Sequence, residues 1–283
     1  MISIITPSFR QLDWLRLAMA SVADQEGIEV EHIIQDAGTD GIKEMFDGAT
    51  RSVGRSRDVA KLFIEKDVGM YDAINRGLEK ARGDICAYLN CDEQYLPGTL
   101  RDVANRFARN PKIDILFGDV VLVDRDGKAL SYRRAIEPNK SHLHSSHLNT
   151  SSCATFFRRK LVERGLYFDT RWKAIGDLAW IYRLLDAGVS VETVPELLAV
   201  FTFTGQNLGA TSLTGQELEA WRKELPAMSH FQRATAIALH RLRKAVAGAY
   251  RPRRVKIDIY TLSSPNARRR IVADNVGARW PTT

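Results

Sequence analysis

The sequence predicts an α/β protein: a mostly parallel sheet with helices on both faces, followed by a basic helical extension. Two observations carry this. Four short apolar runs, separated by helical or helix-length stretches, fall within about the first 95 residues, the pattern of strands joined by crossover helices. Each run ends in a polar cluster: Thr6–Ser8, Asp36–Asp40, Asp67 and Asn90–Glu93. In such sheets ligands bind beyond the carboxyl ends of the strands, so four polar loops would share one rim.

Ile2–Ile5 is an apolar run stopped by Thr6-Pro7-Ser8, and reads as a buried strand entering a loop. Leu12, Leu15, Ala18, Met19 and Val22 recur at helical spacing. Val30–Gln35 and Lys61–Ile64 are the second and third strands. A helix over about 71–81 follows, with Ala73, Ile74, Leu78 and Ala81 on one side and Gly83 near its end. Ile85–Leu89 is the fourth strand. Ile113–Asp124 reads as a strand pair or a long bent strand, and Asp124–Lys128 as a hairpin turn. Residues 136–151 read as a polar, His-containing loop. Ala154–Phe157 and Val189–Val194 read as strands, with an amphipathic helix from Asp177 to Ala187 between them. Residues 204–215, with Gly205, Gly209 and Gly215, read as a mobile loop. A long helix over about 215–247, broken near Pro226, completes the pass. The boundaries expected are a catalytic domain at 1–214, with a nucleotide-binding half (1–100) and an acceptor half (101–214), and a basic helical extension at 215–283.

Composition excludes several classes. Of 283 residues 45% are hydrophobic and 27% charged, which rules out general disorder. Three cysteines without a Cys-x-x-Cys pair give neither a disulfide framework nor a zinc site. No basic-then-apolar leader and no 18-residue apolar stretch is present, so the expected address is the cytoplasm. The net charge of +7 is uneven. From His230 onward there are 12 Lys/Arg against 2 Asp/Glu, whereas residues 1–229 sum to −3. The basic balance belongs to the tail, and nucleic acid is not an expected partner. A basic amphipathic tail suits an anionic membrane surface, or equally a solvated face packed on the domain.

Several residues can carry chemistry. Asp92 and Glu93 after a buried strand, beside Asn90, offer hard oxygen ligands for Mg²⁺ or Mn²⁺; they could equally form a polar loop before the next helix. Asp36 beside Gly38 can accept from a base or ribose, or serve its own turn. Asp67, Asp72, Asn75 and Arg76 can reach ribose, sugar and phosphate at a helix start, or cap that helix. Asp177 is a general base if it faces a pocket, and otherwise a helix cap. His142, His144 and His147 match no firm metal template. Cys91 has no nucleophile's partners and reads as a strand-end filler.

Together, these segments resemble the family 2 inverting glycosyltransferases of the GT-A fold, and within them the bacterial polysaccharide enzymes of colanic-acid type. The resemblance rests on Ile4–Ser8, Ile34–Asp40, Asp67–Gly77, Ala81–Asp84 and Leu89–Glu93, and continues more loosely from Ala154–Arg159 to about Val200. It implies that Thr6, Pro7, Ser8 and Asp36 hold base and ribose, that Asp67 and Arg76 lie near ribose and phosphate, and that Asn90 and Cys91 line the nucleotide site. Tyr71, Asp72 and Asn75 would face the donor sugar. Asp92, with Glu93 as auxiliary, would hold Mn²⁺ or Mg²⁺, and Asp177 would deprotonate the acceptor hydroxyl. The implied donor is a nucleotide-diphosphate sugar, expected to be a UDP-sugar, and the implied acceptor a glycan or polyprenyl-linked glycan on the inner face of the cytoplasmic membrane. Asn90 stands where the strict motif has its first Asp. Ser152-Cys153 stand where a His-Gln pair often precedes Ala-Thr-Phe-Phe, and no Gln-x-x-Arg-Trp segment of a processive synthase occurs. A sugar-1-phosphate nucleotidyltransferase and a non-catalytic nucleotide-sugar or glycan binder are the rival readings. A dehydrogenase is not, because no Gly-x-Gly-x-x-Gly follows the first strand.

Overall fold

The computed structural model describes residues 1–52, 59–205 and 212–281. Residues 206–211, within the stretch read as a mobile loop, lie outside the described residues. A single sheet of nine strands organises the chain. Strands β1 (Ile2–Ser8), β2 (Val30–Asp36), β3 (Ala60–Ile64) and β4 (Ile85–Tyr88) pair in parallel in the order β3-β2-β1-β4. Beyond β4 the sheet continues through β8 (Thr155–Arg158), β6 (Ile115–Val123), β9 (Val191–Thr202) and β5 (Glu93–Tyr95), and β7 (Ala129–Arg133) pairs with β6. Strands β8, β7 and β5 run against their neighbours, while β6 and β9 are parallel. The sheet is therefore mixed, with its parallel block at the N-terminal edge.

The period-2 alternation of β1 splits the core. Ile2 and Ile4 point to one face, packing with Ala18 and Val22 of α1 (Leu12–Ala23) and with Leu100, Val103 and Phe107 of α4 (Thr99–Arg109). Ile5 points to the other, against Ile74 and Leu78 of α3 (Met70–Lys80) and Trp180, Ile181 and Leu184 of α7 (Gly176–Asp186). Helices thus cover both faces, as the sequence implies. A further helix, α2 (Ile42–Ser52), lies against α1.

Two regions differ from the sequence reading. Within the 136–151 loop, residues Lys140–Ser145 form α5, with the Asn139 side chain accepting from the N–H groups of Ser141 and His142. The basic extension is only half helical. After the short α6 (Lys160–Glu163), helices α8 (Ser212–Lys223) and α9 (His230–Val246) are separated around Pro226 as expected. Then β10 (Arg253–Thr261) and β11 (Ser264–Val276) form an antiparallel hairpin. The reason is a period of two: Val255, Ile257 and Ile259 are buried against Val121, Val123, Tyr132 and Val200, while Arg254 and Lys256 face outward. Gln94 receives and gives a hydrogen bond with the Tyr260 backbone at 2.9 Å each, and the Arg268 guanidinium holds both oxygens of Asp24. The hairpin belongs to the main body. Among the described residues, no helix is long and apolar enough to cross a membrane.

Candidate active site

A cleft of about 1070 Å³ opens at the carboxyl ends of β1 to β4. One wall is the predicted rim. Pro7 and Ser8 come from the end of β1, Ala37 from just beyond β2, Asp67 from beyond β3, and Asn90, Cys91 and Asp92 from beyond β4. Tyr71 rises from α3 and Asp177 from the start of α7. The far wall is assembled from Arg133 at the end of β7, residues 146–152, Phe201 at the end of β9 and Phe203 just beyond it, Lys244 of α9, and Trp280.

Local chemistry explains how the rim is held. Asp67 Oδ1 accepts from the Gly69 N–H (2.9 Å), and Gly69 has a φ of 137°, a left-handed conformation open to glycine, which turns the chain into α3. Lys173 Nζ donates to the Val68 carbonyl (2.7 Å) and fastens the same turn from the opposite side. The Asp92 carbonyl accepts from the Thr202 N–H (3.0 Å), so the Asp92 loop is bolted to the end of β9.

Asp177 lies in the first turn of α7 and shares a hydrogen bond with the Tyr71 hydroxyl. Burial raises its pKa, and hydrogen bonds from the Leu178 N–H and from Tyr71 oppose that rise. A Cβ on Gly176 would meet the Tyr71 ring at 2.5 Å, so glycine beside Asp177 is what lets the two side chains meet. Tyr71 is stacked on Phe168 at 5.3 Å, which fixes its ring. Burial also raises Asp67, and pushes Asp92 up to about 6.

The structure does not bring every expected residue into the cleft. Thr6 is fully buried and its hydroxyl is bonded to His32 Nε2 at 2.8 Å. Asp36 is consumed by its own turn: Oδ1 accepts from the Gly38 and Thr39 N–H groups and Oδ2 from the Thr39 hydroxyl. Asp72 accepts from the Val68 N–H and pairs with Arg76 at 3.1 Å, an i,i+4 pair on the outside of α3. Asn75 is tied to the Phe168 backbone through both its amide groups. Glu93 begins β5, fully buried, accepting from the Asn90 N–H (2.7 Å) and from the Ser152 hydroxyl. Its burial, then the Asp92 charge, raises its pKa to about 8. Thr6 is taken up by a side-chain partner on the neighbouring strand and Asp72 by one on its own helix, and Asp36, Asn75 and Glu93 are held by hydrogen bonds within the protein. The sequence reading missed Arg133, Ser151, Lys244 and Trp280, which come from distant segments and carry no local motif.

For a divalent cation, the cleft offers the Asp92 carboxylate and Asn90 Oδ1. The latter is buried without a hydrogen-bond partner. Mg²⁺ and Mn²⁺ need only one or two protein oxygens when substrate phosphates and waters complete the shell. These residues fit such an ion. Among the described residues, no cluster of three or more His, Cys, Asp or Glu side chains offers a closed protein cage.

Comparison with known proteins bears on this cleft. The chain is similar to an uncharacterised glycosyltransferase of Nostoc sp., at 25% identity over 228 residues, covering 76% of this chain and 69% of that one. It is 30% identical over 184 residues to a PGL/p-HBAD biosynthesis glycosyltransferase of Mycobacterium bovis, covering 62% and 66%. In fold it resembles S. aureus TarS, with a TM-score of 0.57 and 15% identity over 86% of this chain but only 43% of that one. It also resembles a mannosyltransferase from Pyrobaculum calidifontis solved with GDP-Man and Mn²⁺, with a TM-score of 0.56 and 15% identity over 88% and 75%. The family model for glycosyl transferase family 2 matches residues 3–166, which hold the whole parallel block and the Asn90–Asp92 loop, and the chain belongs to that family.

Proposed function

We propose that the cleft transfers a sugar from a nucleotide-diphosphate sugar to an acceptor hydroxyl in one inverting displacement. The observation that carries this is the meeting of Asp177 and Asp92 in one cleft at the strand ends, one as a base and one as a hard ligand. TarS has been solved with UDP-GlcNAc and the Pyrobaculum mannosyltransferase with GDP-Man and Mn²⁺, which supports this donor class.

In this reading Pro7, Ser8, Ala37 and Asp67 hold the nucleoside, with a UDP-sugar as the expected donor. Asp92 and Asn90 would hold Mg²⁺ or Mn²⁺, whose charge would offset that of the departing diphosphate. Asp177 removes the acceptor hydroxyl's proton as that oxygen attacks the anomeric carbon opposite the leaving group. Tyr71 donates to Asp177 and keeps it aimed. The acceptor is a glycan or lipid-linked glycan of a bacterial surface polysaccharide, reached at the inner face of the cytoplasmic membrane.

The outer side of α9 supports the membrane part. Phe231, Leu239, Leu242 and Val246 are 80%, 56%, 59% and 82% exposed and fall on one helical stripe. Arg241 and Arg243 flank it, while Ala236 and His240 face the body. An apolar stripe edged with arginine fits an anionic lipid surface.

The decisive experiment is calorimetry and turnover with a panel of sugar nucleotides and Mn²⁺. Asp177→Asn is expected to bind a donor and fail to transfer. A wild-type chain that binds none of the panel sinks the reading. Flotation with anionic liposomes checks the membrane part: binding is expected to be lost in Leu239→Glu/Leu242→Glu, and unchanged binding would refute it.

A further inference from the structure

Most ion-paired cationic side chains among the described residues sit on the surface, such as Arg76 with Asp72, Arg106 with Glu196, and Arg171 with Asp169 and Glu224. Two half-buried cations in the cleft differ. Arg133, at the end of β7, gives Nη1 to the Ala278 carbonyl (2.9 Å) and lies over the Trp280 ring at 5.3 Å. Lys244 reaches in from the inner side of α9, with its Nζ at 5.3 Å from the centre of the Tyr250 ring. Among the described residues no carboxylate lies within ion-pair distance of either. Asp119, on neighbouring β6, is committed elsewhere: it accepts from the Tyr132 hydroxyl (2.6 Å) and the Ala135 N–H (2.9 Å) and pairs with Arg134. Burial lowers the pKa of both cations, and the charge of Arg133 lowers that of Lys244 further. Two like charges sharing a partly dry cleft without a counter-ion are costly unless a ligand supplies one.

Their surroundings state what kind of ligand. Trp280 lies 6.2 Å and 6.5 Å from the rings of Phe201 and Phe203, and all three line the cleft beside the cations. An anion with an apolar neighbour is matched on both sides. In sheet order β6, which carries β7, is separated from β1 by β4 and β8. Arg133 therefore stands on the part of the sheet away from the β1–β3 ends that the transferase reading gives to the nucleoside, and Lys244 of α9 lines the same cleft.

We propose that Arg133 and Lys244 form a second anion site, holding a phosphate on the acceptor while the Trp280 wall receives the apolar group attached to it. The inference rests on the transferase reading and specifies its acceptor as a phosphate ester with an apolar tail. Two charge-assisted hydrogen bonds to phosphate give the site its grip, and the aromatic wall gives preference over free phosphate.

The test uses the full chain and calorimetry with decyl phosphate, inorganic phosphate and uridine diphosphate, the last with Mn²⁺. Decyl phosphate is expected to bind while uridine diphosphate is already bound, and more tightly than inorganic phosphate. Arg133→Gln and Lys244→Gln are each expected to weaken decyl phosphate about tenfold and to leave uridine diphosphate affinity unchanged. Arg133→Lys and Lys244→Arg, which keep the charge and guard against misfolding, should retain most of the binding. A parallel loss of uridine diphosphate affinity in the Gln variants would assign the cations to the donor and overturn the proposal. So would decyl phosphate affinity that ignores both substitutions or equals that of inorganic phosphate. A chain that binds decyl phosphate through these residues but no nucleotide keeps the anion site and sinks the transferase reading alone.

Discussion

The two walls of the cleft are built in different ways. The rim wall is a by-product of topology: successive parallel strands end on the same edge, so residues 7, 37, 67 and 92 are neighbours because the chain returns there after every crossover. The far wall has no such generator. It brings residue 133 of a hairpin, residue 244 of a helix and residue 280 of a terminal stretch together through tertiary packing alone. The difference teaches that the chemistry of the rim wall is fixed by the fold, whereas that of the far wall is fixed by how its attachments pack. Asp177, on the helix between them, should answer to both.

The largest effect that tests this division is at Asp177. Asp177→Asn is expected to cut kcat about 10³-fold, the scale of losing a general base, with donor affinity retained in calorimetry. Because burial raises the pKa of Asp177, the acid limb of its pH–rate profile should lie above the ordinary carboxylate range. Asp92→Ala belongs to the rim and should behave differently: turnover falls about 100-fold or more, and Mn²⁺ ceases to strengthen donor binding. If Mn²⁺ strengthens it as before, the assignment of Asp92 fails. Tyr71→Phe keeps the stack on Phe168 but removes a hydrogen bond that favours ionised Asp177. We expect about a tenfold loss and an acid limb moved to higher pH, since that bond lowers the carboxyl pKa.

The smallest effect on chemistry is expected at Glu93, which is adjacent to Asp92 in sequence but lies beneath the rim. Glu93→Ala should leave metal dependence intact and cost about 2 kcal/mol of stability, because the Asn90 N–H and Ser152 hydroxyl lose their acceptor. The pH dependence gives a second check. Its folded-state pKa of about 8 is raised, so its contribution is fully present below the unfolded value near 4.5 and is lost as pH rises through about 8. Glu93→Gln should flatten that decline in thermal melts between those limits.

Much of the rim was legible because it depends on local pattern. Apolar runs ending in Thr-Pro-Ser or Asn-Cys-Asp declare strand ends, and strand ends declare the rim. What the pattern leaves open is which side chains turn into the cleft. Glu93 is drawn inward by Ser152, 59 residues away, and Asn75 by Phe168, 93 residues away. Neither partner can be paired from spacing. The β10–β11 hairpin was hidden by its own charge, because Arg254 and Lys256 draw attention from the alternating Val255, Ile257 and Ile259. Helix α5 is six residues long and rests on one Asn cap, too short for a periodic signal.

The docking of that hairpin also has a consequence in time. Gln94 meets Tyr260 166 residues later in the chain, and the apolar side of β6 and β9 stays uncovered until Val255, Ile257 and Ile259 have been made. β9 is complete at Thr202 and Ile259 follows in β10, so at ribosomal speeds of about 5–20 residues per second the nascent sheet waits on the order of several seconds with that face open to water. Vectorial synthesis thus gives the family-2 core a window in which it is formed but unsealed. Pulse-labelled nascent chains stalled before and after residue 260 should differ sharply in protease resistance around Leu96 and Val121.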